Sequence, residues 1–185
     1  MLNVNNPYCS INKQRKRQKM QWRSIKYLAA TGLMVATQAF AAPPSTLLQN
    51  NMSLNLANQL VQATMDACHA QGRSAVVVAI DRGGNLLSLQ RDDTVGVHNT
   101  EAAQKKAFTA LSTKTLSRVF AENARNHPDS SNLNTIDSLL LIGGGVPVKV
   151  GSEVVGAIGV GGAGGSAIDE GCALQALDQV LGSGK

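Results

Sequence analysis

Few side chains in this sequence have the spacing of a known catalytic or metal-binding motif. The three histidines form no H-x-x-x-H pair, and the three cysteines form no C-x-x-C pair, so a local zinc site is not indicated. The G-x-S-x-G string of serine hydrolases and the C-x-x-C-H string of covalent haem attachment are also absent. Chemistry that depends on such local signatures is therefore not predicted.

Non-covalent haem binding has no fixed sequence motif, because it needs only one or two axial ligands and an apolar slot. His98 is the best-placed imidazole, since it lies in a polar loop directly before a helix rich in small residues. The alternative is an ordinary exposed loop histidine. The residues alone keep both interpretations open.

Glycines and carboxylates near the C-terminus could also do chemistry. Residues 159–164 match the G-x-G-x-x-G pattern between a predicted strand and helix, but too little chain follows for a dinucleotide-binding unit. Glycines that let the loop pass close to a helix N-terminus or to a neighbouring subunit explain the pattern better. Asp169 and Glu170 are candidate acid and base groups, although their place at a helix start favours capping.

The elements that position these residues predict an α+β fold. Apolar periodicity, turn residues and β-branched runs give the order α-β-β-α-α-β-β-β-α, with five antiparallel strands and flanking helices. Three predicted helices have N-caps at Ser53, at Asn99 or Thr100 and at Ser166, and a fourth runs from Ser112 to Asn123. The predicted strands are 75–81, 86–90, 139–142, 146–150 and 154–160.

Charge is distributed unevenly along the 185 residues, whose formal net charge is +5. Residues 1–41 hold seven of the 17 cations and no acid, and an apolar run with an A-x-A site follows the cations. This pattern predicts a secretory signal that is cleaved after Ala41, with Met20 as an alternative start. Residues 42–52 are expected to be a linker and 53–185 a single domain, in the periplasm or outside the cell.

Cleavage of the signal segment limits the partners that can be expected for the remaining chain. The apolar run is too short for a membrane anchor, so none is expected after cleavage. Two phenylalanines are the only aromatic residues left, and the remaining chain is mildly acidic, so nucleic acid is not an expected partner. Cys68 and Cys172 remain on apolar helix faces. Buried thiols are favoured there, and a disulfide stays open.

Four strings resemble the GlcG/HbpS family of haem-binding proteins. They are V-V-V-A-I-D-R-G-G-N-L-L (76–87), A-A-Q-K-K-A-F-T-A-L (102–111), G-G-G-V-P-V (143–148) and V-V-G-A-I-G-V-G-G-A with D-E-G-C-A (154–173). The resemblance covers about residues 53–181. It implies a five-stranded antiparallel sheet with helices, a homo-oligomer that often has eight subunits, and haem binding or degradation in some members.

In haem-binding members of the family, the helix with the K-A-x-T-A motif contributes to the haem site. Lys106 and Thr109 are the matching residues of this sequence. The resemblance therefore implies cofactor contacts from Lys106 and Thr109, with the Thr109 hydroxyl as a weak iron ligand. From the residues themselves, His98 is the other candidate iron ligand, Phe108 could line an apolar slot, and Lys105 or Lys106 could pair with a haem carboxylate. Ala103, Ala107 and Ala110 could instead form a subunit contact.

These observations favour a binding protein over an enzyme. The leading hypothesis is a secreted or periplasmic haem-binding protein that stores, senses or degrades haem. The alternatives are an accessory protein or enzyme for a 2-hydroxy acid or related metabolite, which would use Asp169 and Glu170, and a ligand-free structural oligomer.

Overall fold

A computed structural model describes residues 45–182, which form one antiparallel sheet covered by helices on both faces. The helices are α1 (Leu54–His69), α2 (His98–Thr113), α3 (Ser117–Asn126) and α4 (Ser166–Leu181), with a 3₁₀ helix at Pro128–Thr135. The strands are β1 (Val76–Asp81), β2 (Leu86–Arg91), β3 (Gly145–Val150) and β4 (Glu153–Gly161), in the sheet order β2-β1-β4-β3. The α+β class is confirmed. The predicted signal segment lies outside the described residues.

The prediction of five strands is wrong, because residues 45–182 contain four. The apolar run 139–142 does not join the sheet. Its backbone is held by side-chain hydroxyls instead: the Leu140 N–H donates to Thr109 Oγ1 at 2.9 Å, and Ser117 Oγ donates to the Ile142 carbonyl at 2.8 Å. Local hydroxyl partners compete with ladder hydrogen bonds in this way.

Helix starts were predicted with mixed success. Ser53 is the N-cap of α1, and its side chain accepts a hydrogen bond from the Leu56 N–H, as predicted. The N-cap of α2 is Val97, two or three residues before the cap predicted at Asn99 or Thr100. Helix α3 begins at Ser117 rather than Ser112, because α2 runs on to Thr113. Gly165 rather than Ser166 precedes α4, and its carbonyl accepts the first helical hydrogen bonds.

Two apolar clusters sandwich the sheet. Helices α1 and α4 pack together on one face, while α2 covers β1, β4 and β3 on the other. Ala103, Ala107 and Ala110 are fully buried between α2 and the sheet, so these small residues are used inside the chain. Gly159 makes this close packing possible, because a Cβ there would lie 1.9 Å from the Ala103 carbonyl oxygen. Gly161 and Gly162 face Asn99 in the first turn of α2, which is the close approach to a helix N-terminus predicted for the glycine string.

A disulfide joins Cys68 on α1 to Cys172 on α4, with the Cα atoms 5.3 Å apart. The preference for two buried thiols is therefore wrong. Sequence periodicity placed each cysteine on a buried helix face, but the pairing depends on α1 and α4 packing side by side across 104 residues of sequence.

Across residues 45–182, every helix falls short of the length and apolar character that a bilayer-spanning segment requires.

Candidate functional site

Two hairpin turns meet at one end of the sheet. Strands β1 and β4 are antiparallel neighbours, and Asp81 at the end of β1 pairs with Gly156 near the start of β4. The turn after β1 (82–85) and the turn before β4 (151–152) therefore lie at the same sheet end. The C-terminal end of α2 lies beside them and closes a cavity.

This turn cavity has a volume of about 500 Å³. Its lining residues come from the two turns, the first two residues of β4, the last two turns of α2 and the residue that follows α2: Arg82, Gly83, Phe108, Leu111, Ser112, Lys114, Ser152, Glu153 and Val154. Three of them are apolar and form a wall, two are cations and two are hydroxyl residues. An apolar wall with a few polar groups is typical of a small-molecule site.

The two cations that line the turn cavity differ in their ion-pair partners. Arg82 Nη1 lies 3.4 Å from Glu153 Oε2 and donates to the Asn50 carbonyl at 3.2 Å. Lys114 follows α2 in the left-handed conformation, with φ 54° and ψ 24°. Within residues 45–182, no carboxylate forms an ion pair with Lys114.

Asp81 fixes the turn that carries Arg82. Its Oδ1 accepts the Asn85 backbone N–H at 2.8 Å and the Asn85 side-chain amide at 3.1 Å. Desolvation by burial acts to raise the pKa of Asp81, but the hydrogen bonds from Asn85 and from the Gly83 backbone outweigh it and hold this pKa below its usual value. An ionised Asp81 therefore stabilises the turn.

Phe108 also lines a second, smaller cavity of about 240 Å³, together with Ile80, Gly84 and Leu86. Its ring packs against Gly84, where φ is +81° and a Cβ would lie 3.1 Å from Phe108 Cε2. Lys105 reaches this second cavity, but Glu101 Oε1 lies 2.8 Å from its Nζ and raises the pKa of Lys105. Phe108 is thus the aromatic residue shared by both cavities.

Lys106 points in another direction. Its Nζ lies 2.7 Å from Asp169 Oδ2 and donates to the Val160 carbonyl at 2.9 Å, and both charged side chains are almost fully buried. The ammonium group therefore joins α2 to β4 and to α4. Its predicted cofactor contact stays a prediction.

Thr109 is fully buried. Its hydroxyl donates to the Lys105 carbonyl at 2.8 Å and accepts the Leu140 N–H at 2.9 Å. Because the hydroxyl is fully buried under these partners, the predicted iron ligation requires a neighbouring segment to move and expose it.

His98 is exposed at the first residue of α2. It precedes Phe108 by ten helical residues, which correspond to about 15 Å along the axis. The structure therefore does not bring His98, Lys106, Phe108 and Thr109 together in one site. Only Phe108 lines the turn cavity.

The two carboxylates at the start of α4 are both engaged. Asp169 Oδ1 accepts the Ala163 N–H at 2.9 Å, in addition to the ion pair with Lys106. Glu170 Oε1 accepts two hydrogen bonds from the Arg118 guanidinium, at 3.1 and 3.2 Å. Asp169 is thus engaged through both oxygens, whereas Glu170 Oε2 is buried with no hydrogen-bond partner within residues 45–182.

Sequence reasoning missed Arg82, Lys114 and Glu153. Arg82 and Glu153 stood in segments that were recognised only as turns. Lys114 was placed inside a predicted helix, although it follows the last residue of α2. No group of three or more His, Cys, Asp or Glu side chains within 45–182 is arranged to hold a metal ion.

Comparison with known proteins places this fold in a family. A family model described as "Haem degrading protein HbpS-like" matches residues 52–178. The chain belongs to the HbpS-like family. This confirms the resemblance found in the four sequence strings.

Three known proteins are similar to most of the described residues. Protein GlcG of Escherichia coli K12 is 29% identical over 109 residues, which cover 59% of this chain and 80% of GlcG. The crystal structure of HbpS is 34% identical, with a TM-score of 0.68, and the match covers 77% of this chain and 99% of HbpS. The crystal structure of a PduOC:haem complex is 22% identical with a TM-score of 0.62, covering 69% of this chain and 93% of PduOC, which is a likeness of fold.

Proposed function

We propose that this protein binds haem non-covalently in the turn cavity, in the periplasm or outside the cell. The observation that carries the proposal is the combination of Phe108, Leu111 and Val154 as an apolar wall with cations at the same opening. Haem combines a planar apolar ring with two carboxylates, so it matches both parts of this lining. Similarity to HbpS, and a family description that refers to haem, support the same conclusion.

The residues fit the ring and the carboxylates of haem better than they fit its iron. None of the nine residues that line the turn cavity is His, Cys, Met or Tyr. The chain's own contribution is therefore to stack Phe108 on the ring, exclude water with Leu111 and Val154, and attract the carboxylates. Haem would supply an iron centre when bound. Thr109 and His98 are the two candidate ligands of that iron, and variants of each residue test them separately.

A titration with hemin tests the proposal. We expect a saturable Soret band with the purified protein, and roughly tenfold weaker binding for Phe108→Ala, because an aromatic wall is lost. Phe120→Ala is the matched control, since this second phenylalanine is partly exposed on α3 and does not line the cavity. A flat titration of the wild-type protein contradicts haem binding.

The iron ligand is assigned with two further variants. If Thr109 ligates the iron, Thr109→Ala changes the position of the Soret band while His98→Ala leaves it unchanged. The reverse result assigns His98, and because His98 is distant from Phe108 along α2, it would have to come from a second copy. Unchanged spectra in both variants contradict both predicted ligands.

Export is part of the same proposal. The Cys68–Cys172 disulfide supports it, because disulfides persist in oxidising compartments. Mass spectrometry of the protein recovered from the periplasm or medium is expected to find Ala42 at the N-terminus. An intact Met1 or Met20 contradicts the signal prediction.

The proposal also includes a homo-oligomer, with eight subunits as the number that the family resemblance implies. Several exposed apolar side chains, among them Leu86, Val97 and Val150, are available for subunit contacts. Light scattering coupled to size-exclusion chromatography measures the number directly, and a monomer at all concentrations contradicts it.

A further inference from the structure

Lys114 occupies a backbone position that favours glycine. It is the only non-glycine residue between 45 and 182 with positive φ, and it directly follows the last residue of α2. Glycine is the usual residue at such a helix end, because a Cβ in the left-handed conformation approaches the following carbonyl. A lysine at this position therefore strains the backbone, and its side chain lines the turn cavity.

Charge compensation distinguishes Lys114 from the other cation of the cavity. Arg82 is already paired with Glu153 and hydrogen-bonded to the Asn50 carbonyl. Lys114 has no ion-pair partner within the part of the chain that the structure describes. The cavity lining thus carries one uncompensated positive charge, and that charge belongs to Lys114.

An uncompensated ammonium beside an apolar wall selects a class of ligand. The wall of Phe108, Leu111 and Val154 favours an apolar body, and the ammonium favours an anionic group at its edge. The Lys114 side chain is exposed, so its attraction for a carboxylate is worth about a two- to fivefold change in affinity.

We infer that Lys114 is a specificity-determining residue that makes the turn cavity select amphipathic ligands with a free carboxylate over their neutral esters. The inference rests on the proposed haem binding and adds to it the residue that recognises the acid group. It predicts that the cavity discriminates between two molecules with the same ring and iron but different charge.

The experiment compares hemin with hemin dimethyl ester, in the same buffer and by the same absorbance titration. We expect the wild-type protein to bind hemin about two- to fivefold more tightly than the ester, and this preference to decrease as salt is added. Lys114→Gly is expected to abolish the preference, so that the variant binds hemin and its dimethyl ester with equal affinity. Lys114→Arg is expected to keep the preference, because it retains the charge.

A second measurement separates this result from misfolding. Lys114→Gly relieves the left-handed strain, so the Tm of the ligand-free variant is expected to rise by about 3 °C. Arg73→Ala is the matched control, because it removes one exposed cation before β1, at the opposite end of the sheet from the turn cavity. It is expected to leave both the preference and the Tm unchanged.

The outcomes distinguish the inference from the function on which it rests. Equal binding of hemin and its ester by the wild-type protein, or a preference that persists in Lys114→Gly, overturns the inference and leaves haem binding intact. Absence of saturable binding by either compound overturns the proposed function and the inference together.

Discussion

Lys106 Nζ lies 2.7 Å from Asp169 Oδ2, in an ion pair that is almost completely removed from water. The ammonium also donates to the Val160 carbonyl, and the other Asp169 oxygen accepts the Ala163 N–H. Four parts of the chain are joined by these bonds: α2, the end of β4, the loop that follows it and the start of α4. Lys106 therefore positions the glycine-rich loop.

Loss of one partner of this ion pair is expected to be strongly destabilising. Lys106→Met leaves the Asp169 carboxylate buried without its cation, and we expect it to lower the free energy of unfolding by about 3 kcal/mol. The double variant with Asp169→Asn is expected to lose less than the sum of the two single variants. Urea unfolding at pH 7 measures all three, and Lys149→Met is the exposed control. Additive losses contradict the coupling.

Removal of the disulfide tests the covalent link between α1 and α4. Cys68 and Cys172 are separated by 104 residues, so the bond restricts a long loop in the unfolded chain. We expect Cys68→Ala with Cys172→Ala to lower the free energy of unfolding by about 3–4 kcal/mol. A reducing agent should produce a similar loss in the wild-type protein and no change in the variant. Equal stability of the wild-type protein with and without the reducing agent contradicts this expectation.

Acid is expected to destabilise the protein partly through Asp92. Burial acts to raise the pKa of Asp92, but hydrogen bonds from His69 and from the Ala75 N–H outweigh it and lower this pKa below its usual value. A carboxylate with a lowered pKa contributes stability above the unfolded value of about 3.9, and this contribution is lost as the pH falls through the folded value.

Asp92→Asn is therefore expected to lower the free energy of unfolding by about 1 kcal/mol at pH 7, and the difference from the wild type should shrink below about pH 4. Urea unfolding at pH 7, 5 and 3.5 measures this. Asp93→Asn changes an exposed neighbour and serves as the control. A difference that stays constant with pH contradicts the assigned role of Asp92.

Two glycine-to-alanine variants should have opposite effects. At Gly159 a Cβ would lie 1.9 Å from the Ala103 carbonyl oxygen, so Gly159→Ala must push α2 away from β4 and is expected to cost about 3 kcal/mol. At Gly171 nothing lies within 4 Å of the added Cβ, and the residue is exposed on α4. Gly171→Ala is expected to stabilise the protein by up to about 1 kcal/mol. Thermal unfolding of both variants measures the difference, and equal effects contradict the packing argument.

Local sequence signals predicted most of the fold because they arise from contacts between near neighbours. The Ser53 cap and the Arg82-Gly83-Gly84-Asn85 turn each specify their own conformation. The run 139–142 was misassigned because an apolar segment of this length resembles a buried strand. Whether this run joined the sheet depended on hydrogen bonds with the hydroxyls of Thr109 and Ser117, which lie on helices that are distant in sequence.

The turn cavity was harder to predict because it depends on strand order. Phe108 was identifiable as one of two aromatic residues after Ala41. Arg82 and Glu153 come together only because β4 pairs with β1, and no residue near either one indicates that pairing. Lys114 joined them because α2 ends in a left-handed residue, which a lysine does not signal.

All four strands lie between Cys68 and Cys172 in the chain, so the disulfide encloses the whole sheet in one covalent ring. A mechanical load that enters at the start of α1 and leaves at the end of α4 can pass through the sulfur bridge without separating the strands. A protease that cuts the exposed 3₁₀ segment around Ser130 would likewise leave both fragments attached until the protein is reduced. The sheet is thus protected from pulling at its ends and from a single cut in its longest connection.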